Sequence, residues 1–355
     1  MPVRFQVQSA DVHLSGGSKA TINVTGKLDD DLGTRKKQKS EAMSKSEEQS
    51  TGPVIEVDSL HKAYGATKAV DGVSFTVGRG EVFGMLGPNG AGKTTTMEIV
   101  EGLRNADSGH IMVLGLDMTE QPRKVKTRIG VQLQTTALYP RLSVHEVIEL
   151  FGSFFPRSLP APELIKLVGL EDSAKKQCKD LSGGQRQRLS VALALVNDPK
   201  ILFFDEPTTG LDPQARHGLW DVINFSRQRG KTIFLTTHYM EEAERLCDRV
   251  AIIDYGKVIG IDQPGKLVES HFKEEAIEFE VDQPLPREAL SEIAGTSNVV
   301  LENGKVTLYS NSVPVTIGGL LELAKQRGIK LTDLYVRRAT LEDVFLKLTG
   351  RRIRE

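Results

Sequence analysis

The sequence predicts an α/β protein with a largely parallel sheet, followed by a smaller α+β domain. Short apolar runs at residues 81–86 and 201–204 end in a glycine-rich loop and in two acids, and a helical pattern follows the glycine-rich loop. Such runs are typical of strands buried on both faces in a parallel sheet. Near the C-terminus, an Asn303-Gly304 pair between two alternating runs predicts an antiparallel hairpin.

Composition sets the broad class of protein. The chain has 355 residues and 39% hydrophobic content, which is enough for more than one domain of about 100–200 residues. A net charge of -1 gives no sign of a nucleic-acid-binding surface, so we expect no nucleic-acid partner. The two cysteines, Cys178 and Cys247, fit reduced thiols better than a disulfide framework.

Membrane and export signals are not seen in the sequence. No run approaches the roughly 20 apolar residues of a membrane helix, and the N-terminus lacks the pattern of a secretory signal. If the protein serves transport, we expect the membrane part to be a separate polypeptide.

A glycine-rich loop after the first apolar run fits the phosphate-loop pattern G-x-x-x-x-G-K-[ST]. Backbone N–H groups at the start of the following helix would face the phosphates of a nucleoside triphosphate. Lys93 should reach the β- and γ-phosphates, and the Thr94 hydroxyl should ligate Mg²⁺. The predicted binding residues are Gly87, Pro88, Asn89, Gly90, Ala91, Gly92, Lys93, Thr94 and Thr95.

The acidic strand end at Asp205 and Glu206 is the second half of the predicted site. In parallel sheets, ligands bind at the carboxyl ends of the strands, where these acids fall. Asp205 would hold Mg²⁺ directly or through water, and Glu206 would act as the general base on the attacking water.

Residues 181–185, Leu-Ser-Gly-Gly-Gln, resemble the signature motif of ATP-binding cassette (ABC) proteins. In that family, the signature of one subunit closes over ATP bound by another, so the resemblance implies a dimer and a nucleotide contact from Ser182, Gly183, Gly184 and Gln185. Residues 207–213 continue the pattern as a D-loop that includes Asp212.

Three further positions take their roles from this resemblance. Tyr64 stands where the family has an aromatic residue that stacks on adenine, and His238 where it has a switch histidine that contacts the γ-phosphate. Gln134 resembles the Q-loop glutamine that senses Mg²⁺ and the attacking water; Gln132 is a rival, but the spacing to residues 138–143 favours Gln134. With Glu206, Gln134 and His238 all present, the resemblance implies a site competent for hydrolysis.

The resemblance implies a P-loop NTPase cassette with a RecA-like core, an antiparallel β subdomain and an inserted helical subdomain, whose surface receives the coupling helix of a membrane partner. We expect this nucleotide-binding domain at residues 53–268. Residues 269–355 show the order β-α-β-β-α-β with one extra helix, which matches a ferredoxin-like arrangement. No catalytic constellation appears in them, which favours a regulatory or dimerising role.

The first 52 residues do not belong to the cassette pattern. Residues 29–50 are rich in charged and polar residues that cannot bury a core. Residues 3–7 and 21–24 alternate weakly, as a short hairpin would, but disorder is the favoured interpretation. A further alternative is that translation starts at Met43.

The C-terminal residues 339–350 and the cassette residues 237–244 resemble the ATPase subunits of ABC-2-type exporters, including the daunorubicin-resistance type. This implies an ATP- and Mg²⁺-dependent motor at the cytoplasmic face of the membrane, acting as a homodimer or heterodimer with a separate polytopic permease. The cargo would be a drug, antibiotic, lipid or glycolipid. An importer ATPase and a soluble ABC ATPase acting as an assembly or translation factor remain open alternatives.

Overall fold

A computed structural model describes residues 10–13, 19–22, 52–134, 138–272, 274–302 and 305–350. The chain divides into two compact units, residues 1–52 and 53–355. In the first unit, β1 (Ala10–His13) pairs antiparallel with β2 (Lys19–Ile22). Of the two weakly alternating stretches there, for which disorder is the favoured interpretation, residues 21–24 overlap β2, whereas residues 3–7 lie outside the described residues.

A six-stranded sheet forms the centre of the second unit. From one edge to the other, its strands are β12 (Lys257–Asp262), β11 (Arg249–Asp254), β5 (Val82–Leu86), β10 (Thr232–Thr237), β9 (Ile201–Asp205) and β8 (Ile129–Gln132). All neighbours are parallel except the edge strand β12, which is antiparallel to β11.

Both faces of this sheet are buried, as β5 illustrates. Val82 and Leu86 belong to a hydrophobic cluster on one face, while Phe83 and Met85 belong to a second cluster on the other. Side chains alternate between faces along a strand, so a run that is apolar at every position can serve two cores. The predicted parallel sheet of an α/β fold is therefore confirmed.

A four-stranded antiparallel sheet covers the second cluster. Its strands, in spatial order, are β4 (Thr67–Val77), β3 (Ile55–Tyr64), β6 (Ser108–Val113) and β7 (Leu116–Asp117). Phe75 of this sheet stacks on Phe83 of the central sheet, with ring centroids 5.2 Å apart. The sequence pattern alone predicts only short strands at residues 54–57 and 73–77. Both β3 and β4 extend well beyond them.

Helices cover the other cluster and connect the strands. In chain order they are α1 (Lys93–Val100), α2 (Pro122–Lys126), α3 (Val144–Gly152), α4 (Ala161–Leu167), α5 (Gly183–Leu195), α6 (Pro213–Gln228), α7 (Met240–Leu246) and α8 (Pro264–His271). The sequence pattern predicts that residues 135–180 are mostly helical. Helices α3 and α4 lie in this segment, together with the 3₁₀ turns Glu171–Ser173 and Cys178–Asp180. None of the helices within the described ranges is long and apolar enough to cross a bilayer.

A second antiparallel sheet follows in the C-terminal part. Its spatial order is β14 (Thr296–Glu302), β15 (Lys305–Ser310), β13 (Glu275–Val281) and β16 (Leu331–Arg338). The accompanying helices are α9 (Arg287–Ser291), α10 (Val313–Arg327) and α11 (Leu341–Thr349). The element order β-α-β-β-α-β is that of a ferredoxin-like arrangement, and α11 is the extra helix.

Helix α11 follows the C-terminal sheet in the sequence but packs on the cassette. Leu341, Val344 and Phe345 belong to the same hydrophobic cluster as Leu246 and Leu267 of the cassette helices. The backbone N–H of Leu341 also donates to Oε1 of Glu244 at 2.7 Å. The last helix therefore fastens the C-terminal sheet to the cassette.

A buried ionic network joins α11 to the C-terminal sheet. Arg337 donates to Oε1 of Glu278 at 2.6 Å, and its Nη1 and Nη2 reach the two oxygens of Asp343 at 2.5 and 3.0 Å. Burial alone would raise the pKa of Asp343, but the hydrogen bonds from Arg337 and Tyr309 hold it below its usual value. The Glu278 and Asp343 side chains are almost fully buried and share Arg337 as a partner, and Glu278 also pairs with Lys305 and Tyr335.

We expect Arg337→Ala to destabilise the C-terminal sheet by about 3–5 kcal/mol, because the buried carboxylate of Asp343 loses its cation while Glu278 keeps only Lys305. The matched control is Arg338→Ala, which removes an exposed guanidinium from the next position and should change stability by less than about 0.5 kcal/mol. Hydrogen exchange of β13 and α11 would measure the local opening free energy. Equal protection in both variants would show that the network contributes nothing to stability.

Candidate active site

Three neighbouring parallel strands end at the same edge of the central sheet and bring the predicted site residues together. Strand β5 leads into the glycine-rich loop, β9 ends at Asp205, and His238 follows β10 directly. Leu86 of β5 is in register with Thr237, and Asp205 is in register with Thr236. Thus residues that are more than 100 positions apart in sequence meet at one edge.

Close backbone approaches determine the course of the glycine-rich loop. Gly92, the residue before α1, has a φ of 103°. A Cβ atom at Gly92 would lie 2.2 Å from the carbonyl oxygen of Ala69, and one at Gly87 would lie 2.3 Å from that of Ile253. Gly90 also has a positive φ, but space around it is open. At Gly92, both the conformation and the contact therefore require glycine.

Lys93 is buried within this loop, with only 4% of its surface exposed. Its Nζ donates to the carbonyl oxygens of Gly87 at 2.8 Å and Pro88 at 3.1 Å. The same Nζ lies 3.1 Å from Oε1 of Glu206, and together they form a buried ion pair. The ammonium group thus ties the loop after β5 to the acid after β9.

Glu206 lies between two basic side chains. Its Oε2 is 3.3 Å from Nδ1 of His238 and 3.3 Å from the hydroxyl of Thr209. The interaction with His238, followed by that with Lys93, outweighs burial and lowers the pKa of Glu206 to about 2. The carboxylate is therefore ionised at neutral pH, but it is a weak base for as long as His238 and Lys93 stay beside it.

The oxygens of Asp205 and Thr94 fit Mg²⁺ in type and position. Oδ1 of Asp205 accepts hydrogen bonds from the hydroxyls of Thr94 at 3.2 Å and Thr236 at 2.5 Å. Burial raises the pKa of Asp205, and a divalent cation would reverse this effect. No cluster of three or more His, Cys, Asp or Glu side chains occurs in the described ranges; Mg²⁺ at nucleotide sites commonly uses one or two protein oxygens, water and phosphate.

His238 is held by aromatic contacts as well as by Glu206. Its ring centroid lies 4.1 Å from that of Tyr239, and the guanidinium carbon of Arg216 on α6 lies 4.5 Å from the Tyr239 ring. The imidazole side chain is only 10% exposed. His238 therefore has little freedom to leave the edge of the sheet.

The predicted signature residues begin helix α5. Ser182 caps the helix: its hydroxyl accepts from Gln185 N at 3.2 Å, and the Gln185 side chain accepts from Ser182 N at 3.0 Å. Ser182 and Gly183 are exposed, so the helix N-terminus faces outward. Asp212, predicted to contact nucleotide in the D-loop, caps α6 by accepting from Ala215 N at 2.9 Å.

Tyr64 and Gln134 lie on exposed parts of the cassette. Tyr64 ends β3, and its ring centroid lies 5.7 Å from Nζ of Lys62 and 5.4 Å from the guanidinium carbon of Arg104. Gln134 is exposed two residues beyond β8, whereas its rival Gln132 is buried at the strand end. Exposure leaves Gln134 the freer of the two to reach a ligand.

Comparison with known proteins decides the family. The "ABC transporter" family matches residues 70–209. The Nod factor export ATP-binding protein I of Paraburkholderia xenovorans is 42% identical over 85% of this chain and 98% of its own length, and that of Ralstonia nicotianae is 40% identical over 85% and 96%. The chain belongs to the family of ABC transporter ATP-binding proteins.

Solved structures support the fold of this ABC protein. An ATP-binding subunit of an ABC transporter matches with a TM-score of 0.56 and 29% identity, covering 61% of this chain and 93% of the other. A cassette solved as a dimer in a post-hydrolysis state with ADP and Pi matches with a TM-score of 0.55 and 26% identity, covering 59% and 98%. The predicted ABC cassette fold is confirmed.

Two groups at the ABC site were missed from the sequence. Thr236 donates to Asp205 and contacts the backbone N–H of Glu206 through its hydroxyl at 3.0 Å. Glu242 is fully buried and accepts from Nε1 of Trp220 at 3.1 Å. The position of Thr236, two residues before His238, could have indicated its role. The burial of Glu242 could not have been predicted, because residues 240–245 are rich in charged side chains, which is typical of an exposed helix.

We expect Gly92→Ala to weaken ATP binding by at least about 100-fold, because the added Cβ overlaps the Ala69 carbonyl oxygen. Gly90→Ala is the matched control: it changes a glycine of the same loop with a positive φ but open surroundings. Its left-handed conformation should cost only about 1–2 kcal/mol. Titration of both variants with a fluorescent ATP analogue measures the difference; equal affinities would refute the steric requirement.

Proposed function

We propose that this chain is the ATP-hydrolysing motor subunit of an ABC exporter. The observation that carries the proposal is the buried group formed by Lys93, Glu206 and His238 at one edge of the parallel sheet. It combines a cation for phosphate, an ionised acid for water and a histidine beside that acid. These are the groups that phosphoryl transfer to water requires.

ATP binding would exchange the partners of Lys93. Its ammonium group would leave Glu206 for the β- and γ-phosphates, and the backbone N–H groups of residues 87–95 would surround them. Thr94, Asp205 and Gln134 would hold Mg²⁺, which neutralises charge on the transferring phosphate. Glu206, released from Lys93, would take the proton of the attacking water, while His238 contacts the γ-phosphate.

The exposed start of α5 supports a dimer in which each subunit completes the other's site. Residues Ser182, Gly183, Gly184 and Gln185 would meet the ATP bound by the partner, where the positive end of the helix dipole favours the γ-phosphate. Tyr64 would stack on adenine, and Asp212 would lie in the D-loop along the interface. Binding energy at this interface would shift the equilibrium between open and closed dimers.

The proposal also covers the direction of transport, which is export, and a separate membrane partner. The relatives that match most of the chain are named Nod factor export proteins, which supports an exporter with a drug, antibiotic, lipid or glycolipid as cargo. The cassette at residues 53–268 would act at the cytoplasmic face of the membrane with a separate polytopic permease. Residues 269–355 would regulate or stabilise the dimer.

Replacing the proposed base tests the chemistry. We expect Glu206→Gln to lower ATP turnover by about 100-fold or more, while ATP affinity is retained or increased because Lys93 is no longer held by a carboxylate. The control Glu241→Gln changes an exposed carboxylate on α7 and should leave turnover unchanged. Steady-state phosphate release and equilibrium nucleotide binding separate the two effects. Wild-type turnover in Glu206→Gln would exclude this base.

The transporter assignment is tested by purifying the full-length protein in mild detergent from its native membranes and identifying what accompanies it. We expect a polytopic membrane protein in a stoichiometric complex, and ATP hydrolysis that changes when the complex is reconstituted in lipid. Recovery of only soluble partners, such as ribosomes or assembly factors, would favour a soluble ABC ATPase. Uptake instead of export by the reconstituted complex would favour an importer.

A further inference from the structure

A cavity of about 660 Å³ lies where the C-terminal sheet meets the helices α8 and α11. Residues 297–301 of β14 form one side, and Asp343, Leu346 and Lys347 of α11 form the other, while Phe272 just after α8 also lines it. Known small-molecule sites have volumes of roughly 300–1,000 Å³. The cavity is therefore large enough for a small organic ligand that touches both the sheet and α11.

The buried wall of this cavity carries no uncompensated charge. Asp343 and Tyr309 are each 2% exposed, and the Tyr309 hydroxyl donates to Oδ1 of Asp343 at 2.5 Å. Arg337 supplies the cation that pairs with Asp343. At this wall a ligand would meet a polar network that is already satisfied, so its binding depends on the apolar side chains and on the exposed part of the lining.

Apolar side chains from both β14 and α11 line the same cavity. Val299 is 1% exposed, Leu346 is half-buried, and Leu301 is 44% exposed. The ring of Phe272 stacks on that of Tyr309, with centroids 5.2 Å apart. Because removing apolar surface from water is favourable, these residues would bind the apolar body of a ligand.

The polar groups of the lining that lack partners are mostly hydrogen-bond donors. Within the described ranges, the Arg287 guanidinium makes no hydrogen bond or ion pair, and Asn298 uses only Oδ1, which accepts from the next backbone N–H at 2.9 Å. Lys347 donates to one backbone carbonyl, which leaves two of its three N–H groups for a ligand. Glu274 is the one lining carboxylate without a partner among the described residues. Free donors therefore outnumber free acceptors, which favours an anion.

We propose that this cavity binds a small amphipathic organic anion, with its carboxylate or phosphate group held by Arg287 and Asn298. Helix α9 packs against β14, which brings Arg287, its first residue, beside the strand that carries Asn298. The guanidinium fork matches the oxygens of a carboxylate or a phosphate, and Lys347 adds a second positive charge. The apolar body of the ligand would lie on Val299 and Leu346. The inference goes beyond the proposed function, since binding requires neither ATP nor a membrane subunit.

A ligand bound here would hold the C-terminal sheet on α11. It would contact β14 on one side and α11 on the other, and α11 packs on the cassette helices through Leu341, Val344 and Phe345. A ligand that binds only the folded protein stabilises it by an amount set by its concentration and affinity. Occupancy of the cavity would therefore stabilise the attachment of the sheet to the cassette.

The test uses the full-length protein and three probes that share one alkyl chain, namely decanoate, decyl phosphate and neutral decanol. Calorimetric titration below the micelle concentration measures each affinity. We expect the better anion, which tells carboxylate from phosphate, to bind at least about 10-fold more tightly than decanol. Arg287→Gln should weaken its binding by about 10-fold, because a charge-assisted hydrogen bond is lost. The matched control Arg327→Gln changes an exposed arginine of α10 outside the cavity and should bind like wild type.

Hydrogen exchange locates the bound anion, which should increase the protection of β14 and α11. Arg287→Lys keeps the positive charge and should retain most of the affinity that Arg287→Gln loses. The inference is overturned if no probe binds, if decanol binds as tightly as the better anion, or if Arg287→Gln and Arg327→Gln bind equally well. Protection confined to other parts of the chain would overturn it as well. The proposed function stands or fails separately, because none of these measurements involves ATP or a membrane protein.

Discussion

The buried ion pair between Lys93 and Glu206 depends on the parallel arrangement of the central sheet. Both side chains are nearly inaccessible, at 3% and 6%, and their charged atoms are 3.1 Å apart. In a low-dielectric interior, each charge would be costly alone, so the pair persists only while strands β5 and β9 keep their register through β10. Anything that removes Lys93 from this pair must offer it a comparable negative charge, which is what a triphosphate does.

Backbone strain at Glu206 accompanies this pair. The residue has a φ of 45°, a left-handed conformation that is uncommon outside glycine. Its N–H compensates by donating to the carbonyl oxygen of Thr236 at 3.2 Å and to its hydroxyl at 3.0 Å. Strained backbone conformations that are held by surrounding contacts are frequent at functional sites. Here the conformation gives the Glu206 side chain a direction that regular strand geometry would not.

The sequence predicted which edge of the central sheet carries the candidate site, because glycines, acids or a histidine directly follow the apolar runs of its strands. One apolar run is followed by the glycine-rich loop, a second by Asp205 and Glu206, and a third by His238. Where such runs form parallel strands of a buried sheet, the groups that follow them lie at its carboxyl edge. The long hairpin of β3 and β4 was underestimated because polar residues and register shifts interrupt its alternation. Pairings such as Thr236 with Asp205 and Arg337 with Asp343 depend on three-dimensional register, which no local pattern contains. The roles of Gln134, Tyr64 and Asp212 stay predictions.

Helix α7 connects the edge of the central sheet at His238 to the C-terminal helix α11 and its sheet. It begins two residues after His238, and its Glu244 accepts the backbone N–H of Leu341 at the start of α11. Helix α11 is in turn fixed to the C-terminal sheet through Asp343 and Arg337. Because packed helices move as rigid bodies, a displacement of His238 large enough to shift α7 must either carry α11 with it or break the contact at Leu341. The C-terminal part is therefore mechanically connected to His238 through the two helices and one buried ionic network.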